Sequence, residues 1–217
     1  MAIDSSQGAA PPGARRSQRR RQTIEEALDH AVEIMRQQGV GGLTVSEIAR
    51  RMGIRGPSLY KYFPSLHAVY DALFARGVRG NAEAVREALE PMPPGLDRIR
   101  AGVHATVRWC LGNQALAQLL YWRPVPAFEP SPESFAASAE EMGAARAELA
   151  DAVRRGELQE SADSDDALRL LTILMSGLIS QQMANEPDAG YPAGLFARLT
   201  DDALDMFLAH YEPTRRS

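Results

Sequence analysis

Apolar and polar positions follow a helical period along most of the chain. Ile24, Ala27, Leu28, Ala31, Ile34 and Met35 recur at i, i+3 and i+4 and predict a first helix, which Gly39-Val-Gly-Gly42 ends. Thr23-Ile-Glu-Glu26 reads as a capping box at its start. Thr44-Val-Ser-Glu47 is a second box, opening a short helix that runs to about Met52 before Gly53 breaks it. Pro57 suits the first turn of a third helix, because its missing N–H costs nothing there. Pro64 stops that helix. Ser65 can cap a fourth, with Leu66, Val69, Tyr70, Leu73 and Phe74 on one face. Further helices are predicted near 95–112, 114–122, 132–155, 164–185 and 194–211. Val and Ile never alternate over a useful length, so the fold class is all-α with no strand.

The stretch Leu43 to Phe63 has the mechanics of a helix-turn-helix. Ile48 and Ala49 form the inner face of the first short helix, Gly53 takes the turn, and Ile54 and Leu59 point back to the core. The outer face of the second helix then carries Arg55, Gly56, Ser58, Tyr60, Lys61 and Tyr62. Hydroxyls and the chain's single lysine suit phosphates and base edges, and Gly56-Pro57 keeps the approach slim. Thr44 and the N–H groups after it form a phosphate site. Short helix pairs of this kind also occur in helical proteins that never meet DNA.

Charge changes the balance between those readings. Residues 1–65 carry ten Arg and Lys against six Asp and Glu, whereas residues 66–217 carry fourteen against twenty-two. A basic end on an acidic body points to a polyanionic partner at one end. Residues 1–21, with Arg15, Arg16, Arg19, Arg20 and Arg21, read as a disordered basic arm: either a solvated tail or a minor-groove arm.

The segment LTVSEIARRMGIRGPSLYKYFPSLHAVYDAL, residues 43–73, resembles the DNA-binding domain of the TetR/AcrR family of bacterial transcriptional regulators. The features that carry the resemblance are Thr44, Ile48-Ala49, Gly53, Ser58-Leu59-Tyr60, Tyr62-Phe63 and the apolar ladder beyond. It implies a homodimer, an N-terminal three-helix DNA-binding domain, and a C-terminal helical domain that both dimerises and binds a small ligand. Ligand binding would release the operator. Family members usually place a lysine at the start of the fourth helix; here Leu66 stands there, followed by His67, so one expected phosphate contact is absent unless His67 or Ser65 takes it over. The domains expected are the arm at 1–21, the DNA-binding domain at 22–75, and the ligand-binding and dimerisation domain at 76–217. Pro91-Met-Pro-Pro94 reads as the best internal boundary.

In the C-terminal body, helix 164–185 is apolar on nearly every side and helix 194–211 has one polar edge, Arg198, Asp201, Asp202 and Asp205. The two are expected to build the homodimer interface. Helix 95–112 carries a polar stripe, Arg100, His104 and Arg108, amid apolar residues. Such a stripe is either a solvated face or, if His104 or Arg108 turns inward, an anchor for a polar ligand group. The expected effector site is His104, Arg108, Trp109, Trp122, Met142 and Met175, with Tyr121, Phe128, Phe135 and Met183 as further wall candidates. Aromatics and methionines at this spacing also serve as plain core. The proline-rich loop 123–132 reads as a lid or a rigid connector.

Enzyme motifs are missing. His30, His67, His104 and His210 show no metal-ligand spacing, and no Walker loop, G-x-G-x-x-G or G-x-S-x-G occurs. Cys110 is the only cysteine, so no disulfide is possible within the chain. No metal or cofactor is implied, no transmembrane run exists, and a cytoplasmic protein is expected. The reading is a DNA-binding repressor whose partners are a palindromic double-stranded operator, a hydrophobic or amphipathic small-molecule effector and a second copy of the chain. The competing readings are an activator of the same family, or a helical interaction protein without sequence-specific DNA binding.

Overall fold

A computed structural model describes residues 12–213. Among the described residues every regular element is helical. The chain divides into two compact units at Val69/Tyr70.

The first unit begins with α1, Pro12–Gln38. The basic segment predicted as a disordered arm is therefore helical over 12–21, while residues 1–11 lie outside the described part. Arg, Gln and Ala favour helix and outnumber Gly13 and Ser17, and Pro is tolerated at a helix start, so the helix continues back to Pro12. The Thr23 capping box does not form: the Thr23 hydroxyl donates to the Arg19 carbonyl at 3.0 Å within the helix. Ala27, Leu28, Ala31, Ile34 and Met35 are buried, as the period predicts. A 3-10 turn at Val40–Gly42 leads to α2, Val45–Arg51, and α3, Gly56–Leu59. Val45, Ile48, Ala49, Leu59 and Phe63 complete this core.

The turn between α2 and α3 is set by hydrogen bonds. The Ile54 N–H donates to the Ala49 carbonyl at 3.0 Å and the Gly53 N–H to Arg50 at 3.2 Å. This is a Schellman end, and it requires the left-handed conformation that Gly53 adopts at φ 67°.

The helix α4, Leu66–Leu89, contains the division between units, six residues before the predicted boundary at 75. Ser65 caps it, its hydroxyl accepting from the Ala68 N–H at 3.1 Å. The Pro91–Pro94 break is a connection inside the second unit, not a domain boundary. That unit continues with α5 (Leu96–Gly112), α6 (Gln114–Tyr121), α7 (Pro132–Arg154), α8 (Asp165–Asn185) and α9 (Thr200–His210). Ser131 and Ser164 cap α7 and α8. The helix α5 packs against α6, α7, α8 and α9, around a core that includes Val107, Cys110, Leu149, Ile179, Leu204 and Phe207.

Loop 123–132 is a connector. Phe128 is buried with its ring 5.8 Å from that of Tyr70, and the Ser131 N–H donates to Asp71 at 2.7 Å. The last helix is shorter than the predicted 194–211. The cause is Gln182, whose side-chain oxygen accepts from the N–H groups of Phe196 at 2.9 Å and Ala197 at 3.0 Å. Those bonds hold the chain before Thr200 out of the α-helical path.

Candidate functional site

In the first unit, Thr44 caps α2, its hydroxyl accepting from the Glu47 N–H at 3.1 Å. The reciprocal half of the box is absent, because the Glu47 carboxylate turns to Arg50 at 2.7 Å and Arg51 at 3.0 Å. The hydrogen bonds from these two guanidinium groups hold the Glu47 carboxyl down at about 2. Arg51 also reaches the Gln37 side chain at 2.7 Å, tying α2 to α1.

Only Leu59 of α3 is buried. Arg55, Tyr60 and Lys61 are exposed, while Gly56, Ser58 and Tyr62 are half-buried. An added Cβ at Gly56 would meet nothing within 4 Å, so this chain's own packing does not demand glycine there.

Sequence reasoning missed one part of this surface. Arg15, Arg16, Arg19 and Arg20 share one side of α1, and with Lys61 and Tyr62 they line a concave groove of about 540 Å³. The Arg20 guanidinium lies over the Tyr62 ring, 5.8 Å from its centroid. Among the described residues, none that lines the groove carries a carboxylate. The i, i+1, i+4, i+5 spacing of the arginines was the signal for a helical face; their proline- and glycine-rich lead-in hid it.

The second unit contains a pocket of about 200 Å³ between α4, α5, α7 and α8. Its walls include Val85, Leu89, Ile99, Val103, Tyr121, Met142, Leu149, Leu168, Leu171 and Met175. Of the expected wall residues, Met142, Met175 and Tyr121 are thus brought together here. Polar atoms come from Asn81, Arg98, Thr106, Glu141, Glu148 and Thr172. Arg98 Nε donates to both Glu148 oxygens at 2.9 Å, and its Nη1 to the carbonyls of Leu89 at 2.5 Å and Met92 at 3.0 Å. The Tyr121 hydroxyl pairs with Cys110, whose buried thiol is pushed up to about 12 by desolvation.

The other four predicted effector residues lie elsewhere. His104 Nε2 meets Asp201 at 2.9 Å, and its Nδ1 meets the Tyr191 hydroxyl. Arg108 lies over the Tyr191 ring at 5.2 Å. Arg100 pairs with Asp205 and, at 3.6 Å, with Asp201. The polar stripe of α5 is thus not aimed into the pocket: Arg100 and His104 meet the acidic edge of α9, and Arg108 is exposed beside Tyr191. Trp109 lies against Gly80 of α4, where an added Cβ would sit 3.0 Å from its ring. Trp122 packs edge-on to Tyr121 at 6.1 Å between centroids. Neither tryptophan lines the pocket, and Phe135 is exposed.

Comparisons with known proteins agree with this architecture. Residues 27–73 match the family model for bacterial regulatory proteins, tetR family, and residues 99–207 match the tetracyclin repressor-like C-terminal domain. Over 56 residues the chain is 36% identical to an uncharacterized HTH-type transcriptional regulator, YobS, of Bacillus subtilis strain 168; the match covers 26% of this chain and 29% of that protein. The chain thus spans under a third of this curated relative. Among solved structures, the TetR family transcriptional regulator PfmR from Thermus thermophilus superposes with a TM-score of 0.66 at 20% identity, covering 88% of this chain and 99% of that one. The transcriptional regulator FadR from Bacillus subtilis, in complex with stearoyl-CoA, gives 0.68 at 16% identity over 85% and 97%. At such identities the two structures establish a shared fold.

Proposed function

The chain belongs to the tetR family of bacterial regulatory proteins, and from that premise we propose that it is a repressor which binds a palindromic operator as a homodimer and releases it when a small molecule enters the C-terminal pocket. The observation that carries the DNA-binding part is the cationic groove of α1 beside the exposed Arg55, Tyr60 and Lys61. Such a surface fits a phosphate backbone, with α3 turned to base edges. Thr44, Ser58 and Tyr62 add hydroxyls toward phosphates, and Gly56 admits close approach.

Dimerisation is supported by apolar surface left bare within one protomer. Ile173 of α8 is 64% exposed and Met206 of α9 is 70% exposed. Each sits on an uncovered stripe, Ile173-Gly177-Gln181 and Leu199-Asp202-Met206. A second copy covering both stripes would bury them and join two α3 segments in one particle, as a palindromic operator requires.

The pocket's size bears on the effector. A cavity of about 150 Å³ holds one benzene ring. About 200 Å³ therefore suits a ring-sized molecule with a short substituent, not the long acyl chain of the ligand named for FadR.

A gel-shift titration against DNA flanking the protein's own gene, with excess nonspecific competitor, tests the reading. Saturable binding that survives competitor and is lost in Tyr60→Ala and weakened in Lys61→Ala supports it. A pull-down of fragmented genomic DNA that recovers no preferred fragment would overturn it.

A further inference from the structure

We propose that the C-terminal pocket selects an apolar organic cation, a small amine carrying a ring or short chain, over neutral and anionic molecules of the same shape. The proposal rests on the reading of this pocket as the effector site.

Most of the polar groups in the lining are already committed to one another. Arg98, the cationic side chain among those lining the pocket, is consumed by Glu148 and two backbone carbonyls. Glu148 is consumed in return. The Thr172 hydroxyl donates to the Leu168 carbonyl at 2.8 Å, and the Tyr121 hydroxyl is engaged with Cys110. Two acceptors are left. Asn81 Oδ1 is buried and has no hydrogen-bond partner among the described residues. Glu141 is among the lining residues, and among the described residues its neighbouring cation, Arg86, acts on its carboxylate only through its field. Arg86 is itself exposed and leans on Glu83 at 3.4 Å. The Thr106 hydroxyl can serve in either sense.

A buried acceptor without a donor carries an uncompensated desolvation cost, which a donating ligand relieves. An ammonium head carries up to three N–H donors and no acceptor, so it can serve Asn81 and Glu141 together. With Arg98 neutralised by Glu148, the lining retains the charge of Glu141 alone. Burial and the neighbouring Glu140 both push the Glu141 carboxyl upward from its ordinary value, in that order of weight. A cation beside it offsets both. The remaining walls are aliphatic and thioether groups with one aromatic, Tyr121, which accept an apolar body and suit the face of a cation. An anion would meet Glu141 with no free cation, and a neutral alcohol offers a single donor for two acceptors.

Three near-isosteric probes decide the matter: phenethylamine, phenethyl alcohol and phenylacetate, each titrated into the full chain by calorimetry at neutral pH. The amine is expected to bind about tenfold or more tighter than either competitor, the scale of a charge-assisted hydrogen bond. Glu141→Gln is expected to remove that preference while leaving the alcohol within about twofold. Glu141 is half-buried on α7, and an unchanged circular dichroism melt would show that the fold survives. Met175→Phe, which fills the pocket, should abolish binding of all three. Equal or tighter binding of alcohol or phenylacetate, or an amine preference that persists in Glu141→Gln, overturns the cation assignment and leaves the effector-site reading standing. If none of the three binds, or Met175→Phe leaves binding intact, the pocket reading falls together with the cation assignment.

Discussion

Arg20 of α1 lies over the ring of Tyr62, the guanidinium carbon 5.8 Å from the centroid. This contact sets the basic turn of α1 beside the segment that follows α3, and Arg15, Arg16 and Arg19 lie on the same helix. Replacing Arg15, Arg16, Arg19 and Arg20 together by Gln should weaken operator binding. It should also reduce the slope of log affinity against log salt by about 0.9 for each phosphate no longer neutralised. Fluorescence anisotropy over a salt series measures it. A slope equal to wild type would place these arginines off the DNA.

Gly53 and Gly56 have separate duties. Gly53→Ala forces a side chain into the left-handed region at φ 67° and should cost about 1–2 kcal/mol in chemical unfolding. Gly56→Ala has free space around its Cβ. It should leave stability within about 0.5 kcal/mol while lowering operator affinity. Equal destabilisation by both substitutions would show that Gly56 is there for packing.

Acid sensitivity of the first unit should trace to Glu47. Its folded carboxyl is depressed from 4.5 to about 2 by Arg50 and Arg51. A depressed carboxyl contributes stability at pH values above its unfolded value and loses it as pH falls toward the folded one. The loss should therefore develop between about pH 4.5 and 2. Urea midpoints measured across that window should fall less steeply for Glu47→Gln than for wild type.

Gln182 is 1% exposed and accepts from two backbone N–H groups through one oxygen, while its nitrogen donates to the Glu186 carbonyl at 2.9 Å. Gln182→Leu should cost about 2 kcal/mol or more, because both N–H groups lose their acceptor. Amide exchange at Phe196 and Ala197 should accelerate ahead of global unfolding. Retained protection would assign those amides to another acceptor.

The Cys110 thiol is fully buried and raised to about 12. Since the thiolate is the reactive form, dithionitrobenzoate at pH 8 should leave the folded protein unmodified and titrate one thiol after denaturation. Rapid reaction in the native state would mean that α5 and α6 open readily.

Period and capping residues are enough to locate nearly every helix, because each buried face repeats at three and four positions and Thr44 and Ser65 mark two of the starts. What they do not locate is partnership. The α5 stripe of Arg100, His104 and Arg108 and the α9 edge of Asp201 and Asp205 are each legible as polar faces. Their pairing depends on a packing angle that no local pattern encodes. Trp109 and Trp122 resemble pocket walls in the sequence because aromatics serve core and cavity alike. Asn81 and Arg98 of the polar lining carry no pocket signal in the sequence, because a single polar residue on a helix does not show which neighbour it faces. The N-terminal arginines mislead in the opposite sense: composition suggests a loose tail, yet helix-favouring Arg and Gln carry α1 back to Pro12.

Leu59 alone anchors α3 in the core. A segment held by one buried leucine and one glycine turn can exchange its outward residues without renegotiating the fold; on the proposed function those residues read the operator. Arg55, Ser58, Tyr60 and Lys61 are therefore open to drift after gene duplication, and a copy could acquire a new target sequence in a few substitutions. The same economy makes the segment a practical handle for laboratory selection: a library confined to those four positions would sample new operators on a scaffold whose stability barely changes.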